Sequence, residues 1–387
     1  MAVVLKDNVY WVGAIDWNIR EFHGYETKNG SSYNSYIIMD EKVVLIDTVK
    51  KYMFDEFYNR IKKVVDPEKI DYIVVNHVEM DHSGSLEKII EISKATIITN
   101  AKAKEHLELH YDTKDWEYLL VDTGDSLNIG SRNLTFVKTP MLHWPDNMVT
   151  YCPEDKILFS NDAFGQHIAS SERFDFEIDY AIESAKEYFA NILLPYRTLI
   201  PNAVKTVDTL ELDLICPSHG IIWKEDISKI KEKYLEFASN NISEKAVIVY
   251  DTMYKSTEKI GLSIAEGLMD SNIEVKIFKI SETPISKIIT EILDAKYVLV
   301  GSPTLNINLY PEVARFLKYM EGLKPNKKIA AAFGSYGWAE SATKHIKNTF
   351  DILSFDTVED ECLTCRFVPD EEHLEKCHEF GKKLAKM

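Results

Sequence analysis

The chain has 387 residues, 45% of them hydrophobic and 28% charged, with a formal net charge of −17. That length exceeds one ordinary core and implies two or three domains of globular type. The acidity argues against nucleic acid or an anionic membrane surface as a partner.

The opening MAVVLKDNVYWVG has no basic stretch followed by a long apolar run, so no secretory signal is read there. No apolar run approaches the ~20 residues of a membrane helix. The expected location is the cytoplasm. Five scattered cysteines do not make a disulfide framework and suit a reducing compartment. Cys362-Leu-Thr-Cys365 is a lone CxxC without the second pair that a four-thiolate site needs, and it reads as idle or buried thiols.

In the first half, β and α signals alternate. Tyr33–Met39 and Val43–Asp47 read as a hairpin joined by Asp40-Glu41-Lys42. Tyr52–Val65 has helical spacing and stops at Asp66-Pro67. Ile70–Val75 is a buried strand, Gly84–Ser93 a helix and Ala95–Thr99 another strand. Strands are expected at Leu134–Lys138, Met148–Tyr151 and Ile157–Ser160, a helix at Ala181–Leu194, and a short strand at Leu214–Cys216.

Near Asn240 the pattern changes, and Lys229–Ser243 reads as a helix and linker. From Ala246 strands and helices alternate strictly. The strands are expected from Ala246, at Val275–Ile280, Tyr297–Val300 and Lys328–Phe333, and the helices at Lys259–Met269, Ile285–Leu293, Pro311–Glu321 and from about Ala339. Such repeats build a doubly wound parallel sheet. The expected domains are therefore residues 1–243 and 244–387.

The densest chemistry is NHVEMDH, just after the Ile70–Val75 strand. His77, Glu79 and Asp81 alternate, so an extended or turning segment would put them on one side, with His82 free to serve a second centre. More donors stand at other strand ends: His143 in the proline-bracketed TPMLHWP, Asp162 in FSNDAFG, and His219 in CPSHG. The set is four histidines and three carboxylates. Three carboxylates, two divalent ions and a bridging hydroxide sum to zero charge. A hydrolytic dizinc site of similar layout would use His-x-His-x-Asp-His. Here Glu79 replaces the middle histidine, and the added hard oxygen donor favours iron or manganese over zinc. His106, His110, His167, His345 and His373 read as structural histidines.

Three loops follow strands of the second half. Thr252-Met253-Tyr254-Lys255-Ser256-Thr257 leads into a helix and offers hydroxyls and backbone N–H groups to a phosphate. Ser302-Pro303-Thr304-Leu305-Asn306 and Ser335-Tyr336-Gly337-Trp338 could sandwich a planar ring. In an open parallel sheet, ligands bind at this edge. FMN is the expected guest, since the GxGxxG of a dinucleotide site is missing.

These residues, in this order, resemble the flavodiiron proteins, also called A-type flavoproteins. His-x-Glu-x-Asp-His, LHWPD, SNDAFGQH and SHG all match, and the likeness spans nearly the whole chain. It implies a metallo-β-lactamase-like αββα sandwich followed by a flavodoxin-like doubly wound sheet, with two non-haem irons and one FMN per subunit. His77, Glu79 and His143 would hold one iron, Asp81, His82 and His219 the other, and Asp162 would bridge. The family's phosphate loops often carry Gly or Asn where this chain has Lys255. A positive φ there disfavours Lys, although its charge could meet the phosphate.

The implied reaction is reduction of dioxygen to water, of nitric oxide to nitrous oxide, or both. FMN stores two electrons and two ferrous ions store two more, which is enough to take one O₂ to two waters. The resemblance also implies a head-to-tail homodimer, with a dimer of dimers as a further level. The electron donor would be rubredoxin, since no rubredoxin-like domain is fused, or a reduced deazaflavin coenzyme. His23 and Tyr25, in EFHGYET, are candidate proton donors to the reduced gas. Two rival readings stand beside this one: a dizinc hydrolase with a flavodoxin-like appendage, and a non-catalytic FMN electron carrier.

Overall fold

The computed structural model describes residues 2–239 and 242–387, so part of the expected linker at Asn240 lies outside the described residues. Two compact units emerge. The first runs to Tyr188 and resumes over Tyr196–Leu235, while the second takes Phe189–Pro195 and the chain from Glu236 onward. Among the described residues no helix is long and apolar enough to cross a membrane.

The first unit is built on two facing sheets. One has seven strands in the order Val3–Lys6, Val9–Trp11, Tyr36–Ile38, Val44–Ile46, Tyr72–Val74, Thr96–Thr99 and Tyr118–Leu120. Its first four strands pair antiparallel and the rest join in parallel. The other has five, in the order Ser126–Asn128, Asn133–Lys138, Met148–Cys152, Ile157–Asn161 and Leu214–Pro217. Leu134 and Phe136 alternate with less buried neighbours, as one covered face of an antiparallel strand requires. They join Val9, Trp11, Ile38, Ile46, Val74, Phe159 and Cys216 in one core between the sheets. Each such side chain contributes about 1.5–3 kcal/mol of burial free energy.

The expected hairpin forms between Tyr36–Ile38 and Val44–Ile46. Tyr33 leaves it to pair with Ala14 in a separate ribbon, and Asn34 and Ser35 separate the two strands. Two further expectations are corrected. The helix expected over Gly84–Ser93 is two: Met80–Ser83 is already helical, so the turn that carries Asp81 and His82 is a helical one, and Leu86–Ser93 follows separately. The single helix expected over Ala181–Leu194 ends at Tyr188, passes through a wider turn over Phe189–Leu193, and gives way to an unexpected helix at Ile200–Val207. Pro195 explains the break, since it cannot donate an in-helix hydrogen bond.

The second unit follows the expected alternation closely. Its sheet runs in the order Glu274–Lys279, Ser243–Tyr250, Ala295–Gly301, Ile329–Tyr336 and Asp356–Thr357. Thr364–Arg366 adds to the far end of Ile329–Tyr336, and all pairs are parallel. The central strands are buried along nearly their whole length, as strands covered on both faces must be. On one face the helices Ser256–Met269 and Glu371–Leu384 cross closely. A Cβ at Gly267 would overlap the His378 carbonyl, and one at Gly381 would overlap that of Ile264, so small residues are required there.

Candidate metal centre and flavin cleft

All seven predicted donors meet in one pocket of the first unit. The atoms of His77, Glu79, His143 and Asp162 lie within 4.8 Å of one another, as do those of Asp81, His82 and His219. Asp162 joins the two sets. Its Oδ2 lies 3.4 Å from His143 Nε2 and 3.8 Å from His77 Nε2, while Oδ1 lies 3.1 Å from His82 Nε2 and 3.4 Å from His219 Nε2. Glu79 Oε2 completes the first set, 3.3 Å from His77 Nε2 and 3.5 Å from His143 Nε2. Asp81 Oδ2 completes the second, 3.1 Å from His219 Nε2.

The donors come from loops at the strand ends. His77 and Glu79 follow Tyr72–Val74, Asp81 and His82 start the next helical turn, His143 precedes Met148–Cys152, Asp162 follows Ile157–Asn161, and His219 follows Leu214–Pro217. Two histidines have clear orienting partners. His77 Nδ1 lies 2.8 Å from Asp146 Oδ2, which also accepts from Val78 N at 2.9 Å. His219 Nδ1 donates to the Ser32 carbonyl at 2.8 Å. Such bonds fix the tautomer, so that Nε2 faces the pocket with its lone pair. Gly220, at φ +82, lets the chain turn past Gln166, where a Cβ would collide.

The pocket strongly favours positive charge. Both oxygens of Asp162 are buried without a hydrogen-bond partner. Burial works against an ionised Asp162, yet the His82 charge and the contacts with His143 and His219 hold it well below the usual carboxylate range. Burial likewise opposes a charged His219, but Asp162 and Asp81 push it up to about 10. Three buried carboxylates facing four imidazole nitrogens at these spacings fit two divalent cations that share Asp162. With Asp162 shared, each set offers two imidazoles and two carboxylates, a mixed donor set that suits iron better than zinc.

Of the two proton-donor candidates, His23 reaches the pocket. Its Nε2 is 3.0 Å from Glu79 Oε1, its side chain is 57% exposed, and its ring stacks on Phe22 at 4.4 Å. Tyr25 is buried and packs against Phe22 and His167. His167, which reads from sequence as structural, sits in ring contact with His219 at 5.0 Å and lies 2.8 Å from Ser31 Oγ through Nδ1. Cys362 and Cys365 are buried free thiols.

In the second unit the three predicted loops line one cleft of about 420 Å³. Met253, Tyr254 and Ser256 come from the first loop, Pro303, Thr304, Leu305 and Asn306 from the second, and Ser335, Tyr336, Gly337 and Trp338 from the third. Tyr254 is 90% and Trp338 85% exposed, the ring faces of a site that expects a planar guest. Lys255 does take a positive φ, +67, immediately before the Ser256–Met269 helix. Thr252 Oγ1 is buried with no partner, and Thr257 Oγ1 lies 3.2 Å from Ser335 Oγ. An unpaired hydroxyl beside a helix start fits a phosphate. Thr304 Oγ1 accepts from Ser341 N and Ala342 N, so the middle loop also caps the Ala342–Ile352 helix.

Comparison with known proteins matches residues 32–220 to the ODP family β-lactamases and residues 248–381 to the flavodoxins. The chain is 65% identical over its full length to an uncharacterised protein of Methanocaldococcus jannaschii, covering 98% of it. It is 43% identical to the nitric oxide reductase of Moorella thermoacetica, covering 99% of this chain and 98% of that one. Rubredoxin oxygen:oxidoreductase of Desulfovibrio gigas superimposes with a TM-score of 0.97 at 39% identity, with 100% and 98% of the two chains covered. The flavodiiron protein of Giardia intestinalis superimposes with a TM-score of 0.96 at 37% identity, with 100% and 96% covered.

This chain belongs to the flavodiiron proteins.

Within this flavodiiron fold some functional positions escaped the sequence reading. Asp146 stands in the quoted HWPD but its bond to His77 is a long-range contact. Ile307, Ala339, Phe367 and Val368 also line the flavin cleft. Phe367 and Val368 follow the Thr364–Arg366 strand, and only its pairing beside Ser335 and Tyr336 brings them there. The conspicuous signal was an exposed Phe-Val pair before the last helix.

Proposed function

We propose that this flavodiiron protein reduces dioxygen to water, nitric oxide to nitrous oxide, or both, at a non-haem diiron centre supplied with electrons through FMN. The observation that carries the reading is Asp162, whose two oxygens each face a different pair of histidines. His77, Glu79 and His143 would hold one iron, and Asp81, His82 and His219 the other, with Asp162 between them. When bound, the irons and flavin together supply four electrons and the Lewis acidity that activates a diatomic gas.

The chain's own groups do the rest. Asp146 holds His77 with Nε2 inward, and the Ser32 carbonyl does the same for His219. His23 Nε2 lies 3.0 Å from Glu79 Oε1 while more than half of its side chain meets solvent, so it can carry a proton inward at that atom. Replacing His23 with Ala should slow turnover by about 10-fold or more, and an unchanged rate removes it from the mechanism. In the second unit, Thr252 to Thr257 would hold the FMN phosphate. Ser302 to Asn306 and Ser335 to Trp338 would flank the ring.

The name of the Desulfovibrio gigas relative supports rubredoxin as the electron donor, with a reduced deazaflavin coenzyme as the second choice. A head-to-tail homodimer would bring the flavin of one subunit to the irons of the other, and an active monomer in sedimentation would rule that out. Five free buried thiols suit the cytoplasm.

The test is iron and FMN analysis of purified protein, anaerobic reduction, then separate additions of O₂ and NO. The expected result is consumption of at least one gas, giving water without peroxide, or nitrous oxide. Bound zinc without iron, and no gas consumed, would overturn the reading in favour of a hydrolase. FMN reduction without gas uptake would leave an electron carrier.

A further inference from the structure

Asp162 differs from His77 and His219 in having no hydrogen bond of its own to orient it. Its only side-chain neighbours of opposite charge are the imidazoles of the donor set, so what aims the carboxylate among them from outside the set is its backbone. The residue before it, Asn161, sits in the left-handed region at φ +54, which asparagine tolerates better than most side chains. The pairing register between Ile157–Asn161 and Leu214–Pro217 also shifts just before Asn161, a bulge of the kind that re-aims a side chain.

Asn161 is the middle rung of a buried ladder. Trp144 N donates to Asn147 Oδ1 at 2.5 Å, Asn147 Nδ2 donates to Asn161 Oδ1 at 2.7 Å, and Asn161 Nδ2 donates to Ser218 Oγ at 3.2 Å. Ser218 N returns a bond to the Asn161 carbonyl at 2.8 Å. Trp144 follows His143, Asn161 precedes Asp162 and Ser218 precedes His219. The ladder therefore ties together three loops that are far apart in sequence and that each carry a predicted donor. Asn147, Asn161 and Ser218 are at most 2% exposed, so water does not compete for these bonds.

We propose that Asn161 is a positioning residue of the diiron centre, locking the loops of His143 and His219 to the carboxylate of Asp162 so that its two oxygens face both metal positions. This rests on the diiron reading above. Outer partners of metal ligands typically change metal affinity by about 10- to 100-fold when removed.

The test uses the full-length protein stripped of iron and titrated anaerobically with ferrous ion against a chromogenic chelator. The electron paramagnetic resonance of the half-reduced pair is read on the same samples. Asn161→Gly keeps the positive φ and removes only the rungs. It should weaken ferrous binding by about 10-fold or more and change the exchange-coupled signal, with FMN content unaltered. Asn161→Asp keeps the acceptor for Asn147 Nδ2 and puts a second acceptor in place of the donor, towards which the Ser218 hydroxyl can turn, and should recover much of the affinity and the signal. Ser218→Ala removes one rung and should cause a smaller loss of the same kind.

Wild-type affinity and signal in Asn161→Gly would overturn the proposal, as would equal behaviour of the Gly and Asp variants. If Asn161→Gly does not fold, an unchanged Ser218→Ala overturns it instead. Failure of the wild-type protein to bind an iron pair would sink the diiron reading itself. That outcome is distinct from a wild type that binds two irons beside an Asn161→Gly that does so equally well.

Discussion

The two sites of this molecule are built in opposite ways. In the first unit the chemistry is buried: three carboxylates and four imidazoles share a pocket in which Asp81, His82, Asp162 and His219 are at most 2% exposed. In the second it is open, with Tyr254 and Trp338 almost wholly in solvent around a cleft. Burying unbalanced charge is very costly, so the first pocket is tolerable only with compensating cations or protons. Exposing large aromatic rings costs the fold little, but it leaves a surface that a flat ligand can cover. A single deletion should therefore be felt through metal binding in one unit and through ligand affinity alone in the other.

The largest expected effect breaks the comparison at its buried end. Asp162→Ala removes the only group shared by both sets. It should reduce bound iron and gas consumption by more than about 100-fold, with FMN content intact. Iron analysis alongside flavin absorbance measures this, and retention of both irons would refute the shared role. At the open end, Trp338→Ala should raise the FMN dissociation constant by about 10-fold, in line with the ~1 kcal/mol that an aromatic contact contributes. Its unfolding free energy in urea should stay within about 0.5 kcal/mol of wild type, because the side chain packs on so little. A large loss of stability would mean that Trp338 belongs to the core.

A smaller effect sharpens the contrast inside the flavin cleft. Lys255 carries the strain of a left-handed backbone, so Lys255→Gly should stabilise the FMN-free protein by about 0.5–1 kcal/mol. If the ammonium meets the phosphate, the same change should weaken FMN binding a few-fold, and titration of the two proteins decides. The smallest effect lies at a residue of neither site. Burial alone would raise the Asp40 carboxyl, but hydrogen bonds from Ser131 and Arg132 hold it at about 2 against an ordinary 3.8. A depressed carboxyl stabilises the fold above its ordinary range, and that contribution is lost as pH falls from about 4 to about 2. Asp40→Asn should thus cost about 1 kcal/mol near neutrality, and its melting temperature should converge with wild type in acid. A gap that persists at low pH would point to packing instead.

The same contrast explains what could be read in advance. The flavin loops were legible because each is a short stretch after a strand, and parallel strands deliver their C-terminal loops to one edge. The positive φ at Lys255 came into view only through the family resemblance, because related phosphate loops often carry Gly or Asn there. The candidate metal donors were legible as residue types at strand ends. Their division was not read from spacing: the order of donors says nothing of which oxygen of Asp162 faces which histidine. The helical turn at Met80–Ser83 was missed because four residues are too few for a periodic pattern. Asp146, Asn147 and Asn161 were passed over because asparagine and aspartate in loops ordinarily read as turn formers.

By itself the sequence determined the alternation of strands and helices, the loops that carry chemistry and the mixed set of carboxylate and imidazole donors, since these depend on local periodicity and residue type. Only the tertiary structure decided that Asp162 stands between two groups of histidines, that Asn161 ties three loops together, and that Phe367 and Val368 close the flavin cleft. Those facts depend on which strands become neighbours. That is settled by burial of the two cores across long stretches of chain and leaves no mark in any one segment.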